Sequence, residues 1–267
     1  MNIDKNTGIL YRKWKCPSSK ACVLLVHGLG AHSGRWQFMG EFLARNNISS
    51  YAIELRGFGE TEGPRGHVNS FNPYFDDIRH LYNIIHKENP GRKIFLAGES
   101  VGSLISFLTI APAPHFFDGL ICISPAFKSK LRFGLLDYIA MVLALLYNPK
   151  KPFKMPFDSG MCTKDAAYKK IMDADKRESR SASARMLFNI AMAQAFGKFS
   201  RINIPVLFLV AEDDCMVDAK ASKKIFDKLA AEDKTIRQYP GMYHALSIEV
   251  GRNAVFKDIL EWLNKRI

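Results

Sequence analysis

Short apolar runs alternate with amphipathic, helix-like stretches along almost the whole of this 267-residue chain. Within the runs, apolar residues follow one another without polar interruption, which indicates strands buried on both faces. Such strands, separated by helices, predict a mainly parallel β-sheet covered by helices on both sides, which is an α/β fold. An antiparallel pair of residues 8–15 with 21–27 is expected at the start. The predicted strands cover residues 21–27, 50–55, 93–98, 120–124, 206–211 and 235–239, and the predicted helices cover 36–46, 74–87, 101–110, 220–231 and 253–265.

One interval breaks this alternation. About 80 residues separate the fourth predicted strand from the fifth, far more than a single crossover helix needs. We therefore expect a subdomain inserted over the carboxyl ends of the strands, where open parallel sheets place their binding sites. The predicted boundaries are 126–201 for this insert, and 1–125 together with 202–267 for the core. Within the insert, an amphipathic helix is predicted over 184–196.

The formal charge of +12 is concentrated in the insert. Residues 126–201 hold 15 Lys and Arg against 6 Asp and Glu, which leaves a charge of +9 there and +3 elsewhere. A basic excess confined to one segment favours contact with an anionic surface, whether membrane or nucleic acid. Nucleic-acid binding is not expected, because the aromatic residues of the insert lie within apolar runs. The other interpretation is a solvated, lysine-rich surface.

The insert contains an apolar stretch, residues 131–147, with basic residues at both ends. At 17 residues it is too short for a membrane-spanning helix. An apolar helix between cations is typical of interfacial membrane contact, so residues 128–154 are predicted to dock on an anionic membrane. The alternative is a lid helix that packs only on the core. The flanking cations are Lys128, Lys130, Arg132, Lys150, Lys151 and Lys154.

The first residues and the cysteines bear on location. The N-terminal residues lack the apolar run of a signal peptide, so a cytoplasmic protein is expected, with peripheral membrane contact as an option. Five cysteines, an odd number, include Cys22 and Cys122 in apolar strands. They indicate free thiols in a reducing compartment. Since no Cys-x-x-Cys pair or His/Cys cluster is present, no metal is expected.

A Gly-x-Ser-x-Gly motif, residues 98–102, follows the third predicted strand and opens the third predicted helix. Ser100 would lie at the apex of this turn in a strained backbone conformation, with its hydroxyl projecting clear of the chain. Gly98 and Gly102 are expected there because side chains would collide with the neighbouring strand and helix. The motif therefore predicts Ser100 as a nucleophile.

A serine hydroxyl needs a base to take its proton, and His244 is the candidate because it lies between the last strand and the last helix. His27 is interpreted as positioning the backbone beside Gly28. The base needs an orienting carboxylate from the loop after strand 206–211. Spacing alone does not choose among the acids of that loop, although Asp218 resembles a helix N-cap. These acids are Glu212, Asp213, Asp214 and Asp218; the histidines without an expected catalytic role are His32, His67, His80, His86 and His115.

The tetrahedral intermediate that forms when a serine attacks a carbonyl also needs N–H donors for its oxyanion. One donor is expected to be the backbone N–H of Val101, at the start of the helix after the nucleophile. The other is expected to be the N–H of Leu29, in the turn after the first predicted strand.

These motifs resemble the α/β-hydrolases of the monoacylglycerol lipase and lysophospholipase group, which are serine aminopeptidase S33-like. The matching segments are 25–36 (LVHGLGAHSGRW), 55–59 and 63–68, followed in family order by the nucleophile turn, 211–218 and 241–246. The resemblance implies a mainly parallel eight-stranded sheet flanked by helices, with a helical cap after strand 6. In the family this cap presents an apolar helix to lipid. The resemblance also makes Ser100 the nucleophile, His244 the base and, through the second Asp four residues later, Asp214 the acid.

The implied activity is hydrolysis of lipid carboxylic esters through an acyl-enzyme, as a monoacylglycerol lipase or lysophospholipase without a cofactor. The alternatives are a broad short- or medium-chain carboxylesterase, a peptidase of the same fold, and a catalytically silent binding protein. Three residues depart from the family pattern: Glu99 stands for His, Ser103 for Gly and Glu54 for Asp. None of them removes a catalytic group. Because broad carboxylesterases also have Glu before the serine, Glu99 leaves the substrate class open.

Overall fold

The structure, a computed structural model, describes residues 1–112, 116–197 and 201–267. His115 and residues 198–200 of the insert lie outside the described residues. The strands are β1 (Asn2–Ile3), β2 (Leu10–Trp14), β3 (Ala21–Val26), β4 (Ile48–Ile53), β5 (Lys93–Glu99), β6 (Gly119–Ile123), β7 (Pro152–Lys154), β8 (Ser181–Ser183), β9 (Val206–Ala211) and β10 (Lys234–Tyr239). The α-helices are α1 (Gln37–Arg45), α2 (Asn72–Glu88), α3 (Val101–Ile110), α4 (Leu135–Tyr147), α5 (Ser159–Cys162), α6 (Ala166–Ala174), α7 (Ala184–Gly197), α8 (Ala219–Lys228) and α9 (Arg252–Asn264).

Eight strands form one sheet in the order β1-β2-β4-β3-β5-β6-β9-β10. Within the described sheet, all neighbours from β4 to β10 are parallel, whereas β1 pairs with β2, and β2 with β4, in antiparallel fashion. The predicted α/β fold with a mainly parallel sheet is confirmed. Strand β3 is flanked by β4 on one side and β5 on the other, which makes its carboxyl end a topological switch point where ligands bind. The turns after β3 and β5 carry Leu29 and Ser100.

The predicted antiparallel pair of residues 8–15 with 21–27 is wrong. Strand β2 pairs with β4 instead, and β3 pairs in parallel with β4 and β5. All six residues of β3 are buried, whereas Tyr11 alone is buried in β2. A strand buried on both faces belongs in the centre of the sheet with a neighbour at each edge, so the half-exposed β2 lies further out.

Helices cover both faces of the sheet because successive strand residues point to opposite sides. Leu24 and Val26 of β3 belong to an apolar cluster with residues of α2, α3, α8 and the insert. Val23 and Leu25 belong to a second cluster, on the other face, with residues of α1 and α9. The sheet is therefore packed on both faces, and it supports the loops at its carboxyl edge.

Between β6 and β9 the chain carries α4 to α7 and the antiparallel β7–β8 pair, within the segment that the sequence predicts as an insert. Buried polar contacts tie its later part to the core. Arg35 makes two hydrogen bonds of 2.7 Å with the carboxylate of Glu178, and both side chains are buried. The N–H of Ser179 donates to the carbonyl of Gly30 at 2.8 Å. Gly30 has a φ of +79°, and a Cβ there would lie 2.3 Å from the Ser179 oxygen, so this close approach requires glycine.

Helix α4 differs from the rest of the insert in its exposure. It begins at Leu135 because the extended Gly134 precedes it and donates its N–H to the Asp137 carboxylate. Most of its large apolar side chains face solvent; Leu136 is 80% exposed and Leu146 is 73% exposed. Across the described ranges, every helix is either too short or too polar to cross a membrane.

Candidate active site

Ser100 lies in the turn between β5 and α3 with a φ of +58° and a ψ of −122°. Positive φ is strained for a serine, and the surrounding turn must hold it there. The Ser100 N–H donates to the carbonyl of Ile123 at 2.9 Å. A Cβ on Gly98 would lie 2.4 Å from the Gly102 oxygen, and one on Gly102 would lie 2.3 Å from the Val26 oxygen. The expected strained turn, and the need for both glycines, are confirmed.

His244 lies in the loop after β10 and Asp214 in the loop after β9, and their side chains form a buried pair. The distance between His244 Nδ1 and Asp214 Oδ2 is 2.7 Å. The other carboxylate oxygen accepts the N–H groups of Met216 at 2.8 Å and Val217 at 2.9 Å. These three hydrogen bonds fix the carboxylate and orient the imidazole, which leaves Nε2 as the nitrogen available to a substrate or nucleophile.

Burial and ion pairing shift the pKa values of Asp214 and His244 in opposite directions. Burial raises the pKa of Asp214, but His244 and the two backbone N–H groups outweigh it and hold the pKa below its usual value. Burial lowers the pKa of His244, but the Asp214 carboxylate outweighs it and raises the pKa above its usual value. Asp214 is therefore ionised at neutral pH, and the protein stabilises the imidazolium form of His244.

The remaining acids of the β9 loop are placed elsewhere. Asp218 accepts the first N–H groups of α8, so the expected N-cap is confirmed. Glu212 and Asp213 are exposed. Of the four acids, the one that reaches His244 is Asp214. The tight turn after Asp214 directs its side chain towards His244, and the spacing of residues in the sequence does not predict this turn.

The backbone N–H groups of Leu29 and Val101 lie in residues that line the same cavity as Ser100. Neither N–H donates a hydrogen bond within the described part of the chain. Val101 is the first residue of α3, where the helix dipole places partial positive charge. A Cβ on Gly28 would lie 3.1 Å from the Ser100 Cβ, so glycine lets the Leu29 turn approach the serine. Two unpaired donors thus flank Ser100.

A cavity of about 360 Å³ opens onto Ser100 and His244. This volume lies within the usual range for small-molecule sites. The sequence indicated the insert as the source of the lining but no particular residues. The structure supplies one face of α4, with Tyr138, Met141, Val142 and Leu145, and one face of α7, with Leu187, Phe188, Ile190 and Ala191. The helical spacing of these positions is a signal that could have identified them.

The two side chains predicted as nucleophile and base both line this cavity. Among the described contacts, no hydrogen bond joins the Ser100 hydroxyl to the His244 ring. In serine hydrolases this bond can be long or poorly aligned until substrate binds. The geometry therefore joins the predicted base to the predicted acid directly and places the predicted nucleophile in the same cavity as the base.

His27 serves the backbone, as expected. Its Nε2 accepts the N–H of Leu55 at 3.0 Å, and its Nδ1 donates to the carbonyl of Gly28 at 2.9 Å. Burial lowers the pKa of His27 to about 3, so the ring is neutral. His32 and His67 lie on loops and bond residues of the insert. None of these rings belongs to the cavity lining.

Residues 17–251 match the family described as serine aminopeptidase, S33, and the chain belongs to this family. It is 30% identical over 266 residues to the monoglyceride lipase of Homo sapiens, covering 96% of this chain and 86% of that protein. Two solved structures share the fold. The monoacylglycerol lipase of Paleococcus ferrophilus has a TM-score of 0.85 at 24% identity and covers 97% of this chain and 99% of its own. A soluble variant of Saccharomyces cerevisiae monoglyceride lipase, in complex with a substrate analog, has a TM-score of 0.86 at 23% identity and covers 100% and 94%.

These matches confirm the predicted α/β-hydrolase fold and the resemblance on which it was based. They also confirm the predicted enzyme class, because the chain is a carboxylic ester hydrolase of this family.

Proposed function

We propose that this protein hydrolyses the ester of monoacyl lipids, monoacylglycerols or lysophospholipids, with residues 126–201 as a cap over the site. The observation that carries the proposal is the cavity, which apolar side chains of α4 and α7 line together with Ser100 and His244. Each buried methylene of an acyl chain contributes about 0.8 kcal/mol, so such a wall favours long chains. The activity named for the human relative supports the same substrate class.

In the proposed mechanism, the Ser100 hydroxyl attacks the ester carbonyl while His244 Nε2 takes its proton. Asp214 keeps the other proton on Nδ1 and stabilises the imidazolium, in keeping with the raised pKa of His244. The negative oxygen of the tetrahedral intermediate accepts the N–H groups of Leu29 and Val101. Both donors are unpaired in the described chain, so they need not break another bond to do this.

The tetrahedral intermediate then collapses, and the bond between its central carbon and the oxygen of the glycerol leaving group breaks. His244 delivers its proton to the leaving alkoxide, which leaves the acyl group bound to Ser100 as an ester. A water molecule attacks this acyl-enzyme while His244 takes one of its protons. The second tetrahedral intermediate releases a fatty acid, and the proton returns from His244 to the Ser100 oxygen.

The exposed face of α4 supports a second proposal, that residues 128–154 dock on an anionic membrane. Burial of this face in the lipid interface would supply the apolar part of the binding. The electrostatic part is smaller than six cations would give. Lys128 is paired with Asp218 at 3.1 Å, and Lys130 Nζ donates to the Asp214 carbonyl at 2.6 Å. The other four flanking cations could each contribute about 1 kcal/mol at an anionic leaflet.

Vesicle co-sedimentation tests this docking. We expect more protein bound to anionic than to neutral vesicles, and less at high salt. Equal binding to both, or none, contradicts the electrostatic part. A cytoplasmic location with reversible attachment is proposed with it, supported by five free cysteines, and is tested by cell fractionation.

The substrate proposal is tested with nitrophenyl esters of increasing acyl length, followed by monoacylglycerol and lysophospholipid of the preferred length. We expect kcat/KM to rise with chain length and at least one of the two lipids to be cleaved. The control is Ser100→Ala under the same conditions. Highest activity on acetyl esters, with neither lipid cleaved, would identify a short-chain carboxylesterase and reject the proposal.

A further inference from the structure

Glu99 is the last residue of β5 and directly precedes Ser100. Its side chain is 5% exposed and lines the cavity. Its Oε1 accepts the N–H of Ser247 at 3.0 Å, and its Oε2 accepts the hydroxyl of the same serine at 2.9 Å. Ser247 is buried and lies three residues after His244. The strand that carries the serine is thus bonded directly to the loop that carries the imidazole.

The other hydrogen bonds of this loop run to the β9 loop, to the insert and within the loop itself. Glu249 accepts the N–H groups of Lys164 at 3.0 Å and Tyr243 at 3.1 Å. The N–H of Ala245 donates to the Cys162 carbonyl at 2.8 Å. Among the described hydrogen bonds, those that join the loop to β5 are the two of Glu99. The position of His244 relative to Ser100 therefore depends on Glu99. Its position relative to the insert depends on the other hydrogen bonds.

Several ionisable groups interact electrostatically with the Glu99 carboxylate. They are His244 from the β10 loop, Arg35 from the turn before α1, and Cys162 and Tyr168 from α5 and α6. The Arg35 charge is paired with Glu178. Burial raises the pKa of Glu99 above its usual value, although the Ser247 hydrogen bonds and the neighbouring His244 and Arg35 charges oppose the rise. The Glu99 charge in turn adds to that of Asp214 in raising the pKa of His244.

We propose that Glu99 is a positioning residue for the hydrolysis described above: through Ser247 it sets the place of His244, and its carboxylate stabilises the imidazolium. The inference rests on the proposed function, in which His244 is the base. Glu99 touches neither the reacting atoms nor the scissile bond in this account. It acts on His244 through its hydrogen bonds to Ser247 and through its charge.

The decisive variant is Glu99→Gln, which keeps the size of the side chain and an oxygen for the Ser247 N–H. The amide N–H₂ can donate to the Ser247 hydroxyl, so the anchor remains while the charge is lost. Loss of a negative charge lowers the pKa of His244, and the neutral ring is the active base. We therefore expect the acid limb of kcat/KM to move to lower pH, with a lower plateau kcat and an unchanged KM.

Two further variants remove the anchor. Glu99→Ala should lower kcat by about 10²-fold, the cost of a small misplacement of a catalytic group, with little change in KM. Ser247→Ala keeps its N–H but loses its hydroxyl, so its kcat should lie between wild type and Glu99→Ala. The matched control is Glu261→Gln, an exposed glutamate on α9, which should change neither kcat nor the acid limb.

An acid limb in Glu99→Gln that coincides with wild type overturns the proposal, even if Glu99→Ala melts at a lower temperature. Such a result would mean that Glu99 only stabilises the fold. Where turnover is too slow to fit, the rate of fluorophosphonate labelling of Ser100 over pH reports the same limb. If Glu99→Ala does not fold, Glu99→Gln and Ser247→Ala decide. Full activity of Ser100→Ala would instead reject the proposed function, whatever the Glu99 variants do.

Discussion

The floor of the cavity and its α4 wall are built on different principles. His244 and Glu99 lie on the floor, and Asp214 is bonded to His244. All three are buried, and each is held by short hydrogen bonds from the loops at the carboxyl edge of the sheet. Helix α4 has Met141 and Ala144 as its buried residues and presents most of its apolar surface outward. The comparison teaches that the groups proposed for chemistry are fixed, whereas the surface proposed for lipid has few contacts to hold it.

The largest effect is expected from the floor. Ser100→Ala removes the proposed nucleophile, and kcat should fall by about 10⁶-fold on every ester tested. The matched control is Ser103→Ala on the first turn of α3, because the Ser103 hydroxyl is buried without a hydrogen-bond partner in the described chain. Steady-state rates and a thermal melt of both variants make the comparison. Equal loss in both variants would indicate damage to the turn and not to a nucleophile.

The next effect is expected at the acid. Asp214→Asn should lower kcat by about 10⁴-fold, because the imidazolium loses its stabilising charge and the ring its tautomer. The sign of the pH shift follows from the same contact. Asp214 raises the pKa of His244, so without it the pKa falls and the acid limb moves to lower pH. Asp213→Asn, on the exposed neighbour, is the control and should retain wild-type kcat; loss in Asp213→Asn alone would contradict the assignment.

A smaller effect is expected where the insert joins the core. Glu178→Gln leaves the buried Arg35 charge without its partner, which should cost about 3–5 kcal/mol in the free energy of unfolding. Glu60→Gln weakens two more exposed pairs, with Arg12 at 2.8 Å and with Arg177 of the insert at 3.5 Å, and should cost less than about 1 kcal/mol. Denaturant unfolding measures both. Equal costs would mean that the Arg35–Glu178 pair does not hold the insert to the core.

The smallest effect on chemistry is expected from α4. The double variant Leu136→Ser with Leu146→Ser changes two exposed residues outside the cavity lining. Vesicle binding and hydrolysis of vesicle-borne lipid should fall, while hydrolysis of nitrophenyl acetate in solution should not change. The matched control is Ile171→Ser, an exposed aliphatic residue on α6. A fall on the soluble ester as well would mean that α4 supports the site and not only the membrane contact.

The parts of the fold that depend on local pattern were predictable. Burial on both faces leaves uninterrupted apolar runs, so the central strands and their parallel arrangement follow from the sequence. The order of strands does not, because the position of β2 beside β4 depends on which edges the buried β3 already uses.

In the site, too, the local features were predictable from the sequence and the contacts between distant residues were not. The strained turn of Ser100 is a local motif and was predictable from its glycines. The choice of Asp214 came from family resemblance, since its contact with His244 joins residues 30 apart through turn geometry. The bond of Glu99 to Ser247 joins residues 148 apart and left no trace in spacing. Lys130 is one of the cations that flank residues 131–147, and it donates to the Asp214 carbonyl because its strand-like segment runs beside the β9 loop.

The claim that Ser100 is an activated nucleophile is tested most directly by covalent labelling. The folded wild-type protein is treated with a long-chain alkyl fluorophosphonate, and the modified residue is identified by intact mass and peptide mapping. The account predicts one adduct per chain, on Ser100, with none in Ser100→Ala. Wild-type protein that stays unlabelled, or that carries its adduct on another residue, would contradict it.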